Sequence, residues 1–122
     1  MRLYFAIIIL ALNSALGFGQ EAEFSIDKSV HKFPKTTEGQ LLEHNFVVTN
    51  IGDAPLILED YKVECSCTKV FLPKKPILPG EEFKLKVSFD TKSKYYFQDR
   101  IIYVKANTKQ QTHKLRIKVN VI

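Results

Sequence analysis

The stretch EFKLKVSF, residues 82–89, decides the fold of this chain. Every second residue in it is apolar, namely Phe83, Leu85, Val87 and Phe89. The residues between them are charged or polar, and this period of two is typical of a β-strand with one buried and one solvated face. We therefore predict a strand whose apolar side covers a hydrophobic core.

The same period of two recurs on both sides of this strand, and no segment after the N-terminal leader has a helical period. About seven short strands separated by turns predict an all-β fold, an antiparallel immunoglobulin-like β-sandwich. An eight-stranded ligand-binding barrel fits less well, because the strands are too few and no glycine pattern marks barrel corners. The further alternating segments are residues 24–30, 41–49, 56–63, 68–72, 101–106 and 114–121.

The N-terminus has the three parts of a secretory signal peptide. Arg2 supplies a positive charge, an apolar run extends from Leu3 to Leu12, and the small residues Gly17 and Gly19 follow. The apolar run is shorter than the roughly 20 residues that a membrane-spanning helix needs. We therefore predict that residues 1–19 are cleaved and that the protein is exported, to the periplasm or the medium, without a membrane span.

Cleavage leaves residues 20–122 as a single domain, which is long enough to bury a core. The leader carries only Arg2, so 17 of the 18 basic residues remain against all 13 acidic ones, a net charge of +4. The lysines are spread through strands and turns, whereas a nucleic-acid-binding protein has a concentrated basic stripe. We therefore predict a mildly basic, solvated surface and no nucleic-acid partner.

Cys65 and Cys67 are the only cysteines, and they flank a single serine. In an exported protein they meet oxidising conditions. They are consistent with a local disulfide or redox-active pair, with half of a soft-metal site for copper or zinc, or with small apolar residues at a sheet edge. A disulfide requires the chain to bend at Ser66, because residues two apart in an extended strand are about 6.6 Å apart at Cα.

A metal site at Cys65 and Cys67 would need further ligands. The only histidines are His31, His44 and His113, and none has ligand spacing to the cysteines. His44 shares its face of the strand with Phe46, so we expect a partly buried, hydrogen-bonded side chain. His31 and His113 lie near strand ends, where we expect solvated side chains.

Two other segments have a turn or loop character. In NIGDAP, residues 50–55, Asn50 can bond its own backbone two residues on, and glycine and proline fit a tight turn, so a structural role suffices. Tyr95, Tyr96 and Phe97 follow a lysine-rich connection. This aromatic trio is either an anchor for a binding partner or a loop that folds back onto the end of the sandwich.

Four motifs in order resemble those of a known bacterial family. They are HNFVVTNIGDAPL at residues 44–56, CSCT at 65–68, ILPGE at 77–81 and VSFDT at 87–91. The chain resembles the domain of unknown function fifteen-seventy-three over roughly residues 31–122, with Ser66 where that family usually has glycine. The resemblance implies a secreted immunoglobulin-like domain, distantly similar to the Hydin and major-sperm-protein sandwiches, and it implies no particular activity.

No nucleophile elbow, zinc-protease motif, phosphate loop or dinucleotide fingerprint is present in the sequence. We therefore expect no enzyme, with thiol–disulfide chemistry at Cys65 and Cys67 as the one exception. The leading hypothesis is an exported binding or structural module of unknown partner, which either holds a protein through a sheet edge or a loop or is associated with the cell envelope. The alternative is a redox-active or soft-metal-handling protein; a pilus-chaperone-like domain fits less well, since those proteins usually have two domains.

Overall fold

A computed structural model describes residues 20–122, and the signal peptide predicted for residues 1–19 lies outside them. The described residues form eight strands and contain no helix that could cross a membrane. The strands are β1 (Phe24–Ile26), β2 (Val30–Lys32), β3 (Leu41–Asn50), β4 (Leu58–Val63), β5 (Thr68–Phe71), β6 (Glu82–Asp90), β7 (Tyr96–Ala106) and β8 (Thr112–Val121).

The strands form two four-stranded sheets, which confirms the predicted all-β sandwich. Sheet A has the order β1-β3-β6-β5, and sheet B has the order β2-β8-β7-β4. All pairs are antiparallel except β2 with β8, which are parallel. The predicted first strand, residues 24–30, is in fact divided between β1 in sheet A and β2 in sheet B.

The alternation of apolar residues builds the core between the two sheets. In β6, Leu85, Val87 and Phe89 are fully buried, as the sequence predicts. Sheet B meets them with the inward residues of β7 and β8, of which Ile102 and Leu115 are also fully buried. The core is therefore made by the period-two faces of the long central strands β3, β6, β7 and β8.

Two strands begin at other places than the pattern predicts. Leu56 was expected to open the third strand, but it pairs with Ile77 in an isolated bridge, and β4 begins at Leu58. β7 begins at Tyr96 instead of Ile101, because β8 is long enough to pair with it as far as Val121. The aromatic trio therefore lies at the start of a strand and not wholly in a loop.

Each sheet has two edge strands. β1 and β5 form the edges of sheet A, and β2 and β4 form the edges of sheet B. Because β4 and β5 follow each other in sequence, the chain changes sheet between them, at residues 64–67. This crossover contains both cysteines and thus lies beside an open edge of the sandwich.

Candidate functional site: the Cys65–Cys67 turn and its groove

Cys65 and Cys67 are joined by a disulfide bond within the described structure. Their Cα atoms are 5.1 Å apart, closer than the roughly 6.6 Å of an extended strand, so the chain bends at Ser66. Ser66 does this without a left-handed backbone, since Ser93 and Tyr96 are the only described non-glycine residues with positive φ. The serine at the position where the family usually has glycine is therefore compatible with the turn.

Backbone hydrogen bonds hold this turn against β6. The Thr68 N–H donates to the Cys65 carbonyl at 3.1 Å, which closes the turn. The Asp90 N–H donates to the Cys67 carbonyl at 2.9 Å, which fixes the turn to the end of β6. The Cys67 N–H also points at Cys65 Sγ, 3.1 Å away. Each sulfur therefore has a fixed place relative to the sheet.

A groove of about 390 Å³ lies beside Cys67 on the outer face of sheet A. We call it the Cys67 groove. Cross-strand pairing explains its composition, because Lys69 of β5 lies opposite Ser88 of β6, which in turn lies opposite Glu43 of β3. Its lining residues are Leu41, Glu43, Ser66, Cys67, Lys69, Phe71, Ser88 and Asp90.

The groove is both apolar and charged. Phe71 is half exposed, and the Lys86 Nζ lies 5.0 Å from the centre of its ring. The same Nζ is 3.2 Å from a carboxylate oxygen of Glu43. Both groups of this ion pair are well exposed, so it contributes little to stability. The groove thus offers an aromatic face between groups of opposite charge to anything that lies along β5.

The groove residues outside the cysteine turn were not predicted from the sequence. Lys69, Phe71 and Glu43 belong to alternating strands, where each looks like an ordinary outward residue. Their neighbourhood follows from the register of β3, β6 and β5, and strand register is set by long-range pairing. No signal in a single sequence gives that register.

The three histidines lie outside the Cys67 groove. His31 of β2 stacks on His44 of β3, with ring centroids 3.5 Å apart and an angle of 8° between the rings. His113 stacks on Phe24 and shares a 2.7 Å hydrogen bond with the Thr108 hydroxyl. All three are half-buried, so the prediction of solvated His31 and His113 side chains was wrong.

Among residues 20–122 no group of three or more histidine, cysteine or acidic side chains is placed to hold a metal ion.

Burial changes the acid–base behaviour of the histidine stack. Desolvation lowers the pKa of His44, and the nearby His31 lowers it further, while Asp27 opposes the shift. Desolvation, followed by the charge of Lys28, also lowers the pKa of His31. Both rings are therefore held more strongly in the neutral form than a free histidine, which suits two rings stacked face to face.

The aromatic trio projects into solvent. Tyr95, Tyr96 and Phe97 are 59%, 82% and 56% exposed, so the trio does not fold back onto the sandwich. The backbone of Tyr96 has a φ of 68°, a left-handed conformation that bulky residues rarely adopt. The trio lies at the start of β7, whereas the Cys67 groove lies across sheet A, so they are separate surfaces.

The NIGDAP turn has the structural role that its sequence indicates. Asn50 is fully buried, and its Oδ1 accepts from the Gly52 N–H, two residues on, at 2.9 Å. Its Nδ2 donates to the carbonyls of Ala54 and Ile77 at 2.8 and 2.9 Å. All of its hydrogen-bonding capacity is directed into the protein, so no ligand is needed to explain this motif.

Comparison with known proteins agrees with this architecture. The chain aligns with a protein of unknown function from Porphyromonas gingivalis W83 at a TM-score of 0.74 and 15% identity, covering 88% of this chain and 50% of that one. It also aligns with PapD-like domain 7 of human CEP192, at a TM-score of 0.64 and 13% identity, covering 85% and 87% of the two chains. At these identities the similarity shows the fold alone.

A third similar structure is WR4, a member of the MSP family from C. elegans, with a TM-score of 0.50 and 11% identity over 81% of this chain and 97% of that one. These neighbours show an immunoglobulin-type sandwich of the PapD-like and MSP-like kind. The chain spans about half the length of the P. gingivalis chain. No curated protein matches its sequence significantly.

The family comparison agrees with the motifs. The model of the family described as "Protein of unknown function (DUF1573)" matches residues 24–121, which include all eight strands, the cysteine turn and the Asn50 turn. The chain therefore belongs to the DUF1573 family.

Proposed function

We propose that this protein is an exported immunoglobulin-like binding module that holds an extended segment of a protein partner by strand addition at β5. In strand addition the partner's backbone hydrogen-bonds to a free sheet edge, and its alternate side chains enter pockets beside it. The observation that supports this is the open edge of β5, which borders the Cys67 groove.

The backbone of β5 presents unpaired groups to the outside. Because the Asp90 N–H bonds to the Cys67 carbonyl, the alternation of an antiparallel ladder directs the backbone groups of Lys69 and Phe71 toward β6. The N–H and C=O of Val70 then point away from the sheet. Among the described strands β5 pairs with β6 alone, so these groups are available to an added strand.

The other edges are better protected. β4 has a bulge between Leu58 and Asp60, and three of its six residues are charged, namely Glu59, Asp60 and Lys62. A bulge and charged side chains both protect an edge strand from pairing. β1 and β2 have three residues each, and short edges resist pairing. β5 has one charged residue, Lys69, and its Phe71 offers apolar contact area. We therefore place the partner at β5.

The test is a pair of substitutions at Val70. A displayed library of random extended peptides is selected against the mature protein, and the enriched peptides serve as probes. Val70→Pro removes the outward N–H without breaking the β5–β6 ladder. Val70→Ala also loses the two buried methyl groups of valine but keeps the N–H. We expect Val70→Pro to weaken peptide binding about tenfold or more, and Val70→Ala to change it little.

Two measurements support the interpretation of that experiment. Thermal melts of both variants check that each is folded, and hydrogen exchange of the complex should show new protection at β5. A selection that yields no peptide protecting β5, or equal peptide binding by folded Val70→Pro and wild-type protein, contradicts strand addition at this edge. The substitution Cys65→Ser/Cys67→Ser should leave peptide binding in place.

The second candidate function is thiol–disulfide exchange at Cys65 and Cys67. A thiolate of a partner attacks Sγ of Cys67, which lines the groove, and forms a mixed disulfide while Cys65 leaves as a thiolate. The Cys67 N–H, 3.1 Å from Cys65 Sγ, can donate to that thiolate and favour its departure. Cys67 Sγ has a longer contact, 3.8 Å from the Thr68 hydroxyl, and this difference between the two sulfurs is the observation that favours redox chemistry over a purely structural bond.

Thiol titration separates the two candidates. The mature protein is treated with a mild dithiol, and its free thiols are counted over a range of redox potentials. Redox function requires reversible opening of the bond and loss of exchange activity in Cys67→Ser. Soft-metal handling requires the reduced protein to bind copper or zinc in a one-to-one ratio, and the metal to be lost in the same variant.

A further inference from the structure

The two sheets carry different charge on their outer faces. The outward positions of sheet A hold three basic and three acidic residues, so this face is neutral. The outward positions of sheet B hold six basic and three acidic residues, a net charge of +3. The residues of this basic face are Lys32, Lys62, Lys105, Lys114, Arg116 and Lys118, with Glu59, Asp60 and Asp99.

The basic residues of sheet B are concentrated on β8. Lys114, Arg116 and Lys118 occupy successive outward positions, about 7 Å apart along the strand. Two ion pairs are present on this face, between Arg116 and Asp99 at 3.1 Å and between Lys105 and Glu59 at 3.9 Å. Among the described residues the other lysines of the face have no acidic partner within ion-pair distance, so much of its positive charge is directed outward.

The aromatic trio continues this basic face at one end. Phe97 lies opposite Asn120 of β8, and its outward position follows in alternation from Asp99. Tyr96 lies opposite the buried Val121, at the end of the β7–β8 pairing, and its ring and that of Tyr95 are exposed. The connection that leads to them contains Lys92 and Lys94. We call Tyr95, Tyr96 and Phe97 the aromatic tip. Exposed rings beside lysines therefore extend a face that is itself positively charged.

We propose that the basic face of sheet B and the aromatic tip together dock on the surface of an anionic lipid bilayer. The tip enters the interfacial region, where aromatic side chains with an apolar ring and a polar end are favoured. The lysines of β8 and β4 then lie near the negatively charged headgroups. Docking of this kind is reversible and needs no spanning segment.

The combination of charge and rings points to a bilayer instead of a soluble polyanion. An acidic polymer in solution is attracted by the lysines, but it offers no apolar phase to the three rings. A bilayer accounts for both features, since it presents headgroup charge above a hydrocarbon layer. The proposal concerns another surface than the β5 edge, so its test is independent of the proposed strand addition.

The first test measures charge recognition. Vesicles of pure phosphatidylcholine are compared with an equimolar mixture of phosphatidylcholine and phosphatidylglycerol, and binding of the mature protein is measured by co-sedimentation. We expect binding to the mixed vesicles alone, and weaker binding as salt is raised. Lys62→Glu/Lys114→Glu should weaken it at least about 25-fold, because each lysine near an anionic leaflet contributes about fivefold and each new glutamate is repelled as well.

A matched control is available at Lys84 of sheet A and at Lys74 in the connection between β5 and β6. Lys74→Glu/Lys84→Glu makes the same change in net charge with exposed lysines that also lack an ion pair among the described residues. We expect this variant to bind mixed vesicles within about threefold of wild type, since neither position belongs to the basic face of sheet B. Equal losses in the two double variants would mean that net charge alone governs binding, and would overturn the proposed orientation.

The second test measures insertion of the aromatic tip. Tyr96→Ser/Phe97→Ser should weaken vesicle binding about tenfold, while Ile51→Ser, another exposed apolar position, should leave it unchanged. Dextran sulfate serves as a soluble polyanion in parallel. The proposal would be overturned if the protein bound neutral and anionic vesicles alike, or bound neither. It would also be overturned if the protein bound dextran sulfate tightly while the tip variant still bound vesicles normally.

Discussion

Two turns in this protein carry the chain from one sheet to the other, and they are built in opposite ways. The Asn50 turn, residues 50–55, leads from β3 to β4 and is closed by hydrogen bonds around a fully buried amide. The cysteine turn, residues 65–67, leads from β4 to β5 and is half exposed beside a groove. The first is fixed by the hydrogen bonds of one buried side chain, and the second places a disulfide beside an open edge.

The difference teaches that two turns with the same place in the topology can contribute very differently to stability. The Nδ2 of Asn50 donates to the carbonyls of Ala54 and Ile77, and its Oδ1 accepts from the Gly52 N–H, so substitution must disturb the fold. The disulfide spans only one intervening residue and restrains little of the unfolded chain, so its loss should be tolerated. The four predictions below test this contrast by measuring the free energy of unfolding.

The largest effect is expected for Asn50→Ala. The substitution removes hydrogen bonds to the Gly52 N–H and to the Ala54 and Ile77 carbonyls, and leaves these groups without their partner. We expect a loss of about 4 kcal/mol in the free energy of unfolding, measured with urea. Asn45→Ala, an exposed position in the same strand, should cost less than about 0.5 kcal/mol. Similar values for the two would contradict a central role for Asn50.

The next largest effect is expected for Gly52→Ala. A Cβ at this position would lie 2.6 Å from the Glu23 backbone nitrogen and closer still to the Glu21 carbonyl oxygen. The segment before β1 must then move away, which we expect to cost about 2–3 kcal/mol. In Gly39→Ala the new methyl group meets nothing within 4 Å, and only the positive φ of 90° opposes it. That variant should lose about 1 kcal/mol, and a reversed order would refute the close-approach explanation.

A smaller effect is expected for Cys65→Ser/Cys67→Ser. Removing a cross-link that closes so short a loop should lower the free energy of unfolding by about 1–2 kcal/mol. The circular dichroism spectrum should stay that of a β-sandwich. Ser66→Ala, which keeps the disulfide, serves as the control and should change stability by less than about 0.5 kcal/mol. A double variant that fails to fold would place the cysteine turn in the same structural class as the Asn50 turn.

The smallest effect is expected from pH and involves a third junction between the sheets, the His31–His44 stack. Both pKa values are lowered in the folded protein, so the unfolded chain binds more protons below the ordinary histidine value of about 6.5. The stabilisation from the neutral rings is complete above that value and is lost as the pH falls through it. The free energy of unfolding should therefore decrease as the pH falls from about 6.5 toward the lowered pKa values of the folded protein.

A variant isolates the contribution of the stack. Burial also lowers the pKa of His113, so His44→Gln should reduce the pH dependence without abolishing it. His113→Gln removes the contribution of His113 and should leave the pH dependence of the free energy of unfolding that comes from the stacked pair. Unchanged pH dependence in His44→Gln would mean that the stack does not titrate in this range. Neither turn contains a histidine, so Asn50→Ala should keep the wild-type slope.

The long strands were predicted well because the polarity of each side chain indicates whether it faces the core or the solvent. Phe83 to Phe89 alternate with polar residues since one side meets the core and the other meets water. The Asn50 turn was also predictable, because its main hydrogen bond joins residues two apart. The explanation of Gly52 needed the structure, since its neighbours Glu21 and Glu23 are remote in sequence. A single sequence predicts hydrogen bonds between residues that are close in the chain, but it does not predict this contact, which joins segments that are far apart in the chain.

The short strands were less predictable for the same reason. Residues 24–30 look like one weak strand, but β1 pairs with β3 and β2 pairs with β8, so the division depends on two distant partners. The start of β7 at Tyr96 likewise depends on the length of β8. The cysteine pair was recognisable as a special site from its spacing, while the groove beside it required the register of three strands.

By itself the sequence determined the class of fold, the family motifs and the position of the cysteine pair, because alternation, turn chemistry and short spacings act over a few residues. The tertiary structure decided which outward residues become neighbours. Lysines that are scattered along the chain at positions 32, 62 and 114–118 meet on one face of sheet B, while sheet A remains neutral. Strand pairing brings distant segments to within about 5 Å of each other, and that distance governs how charges add.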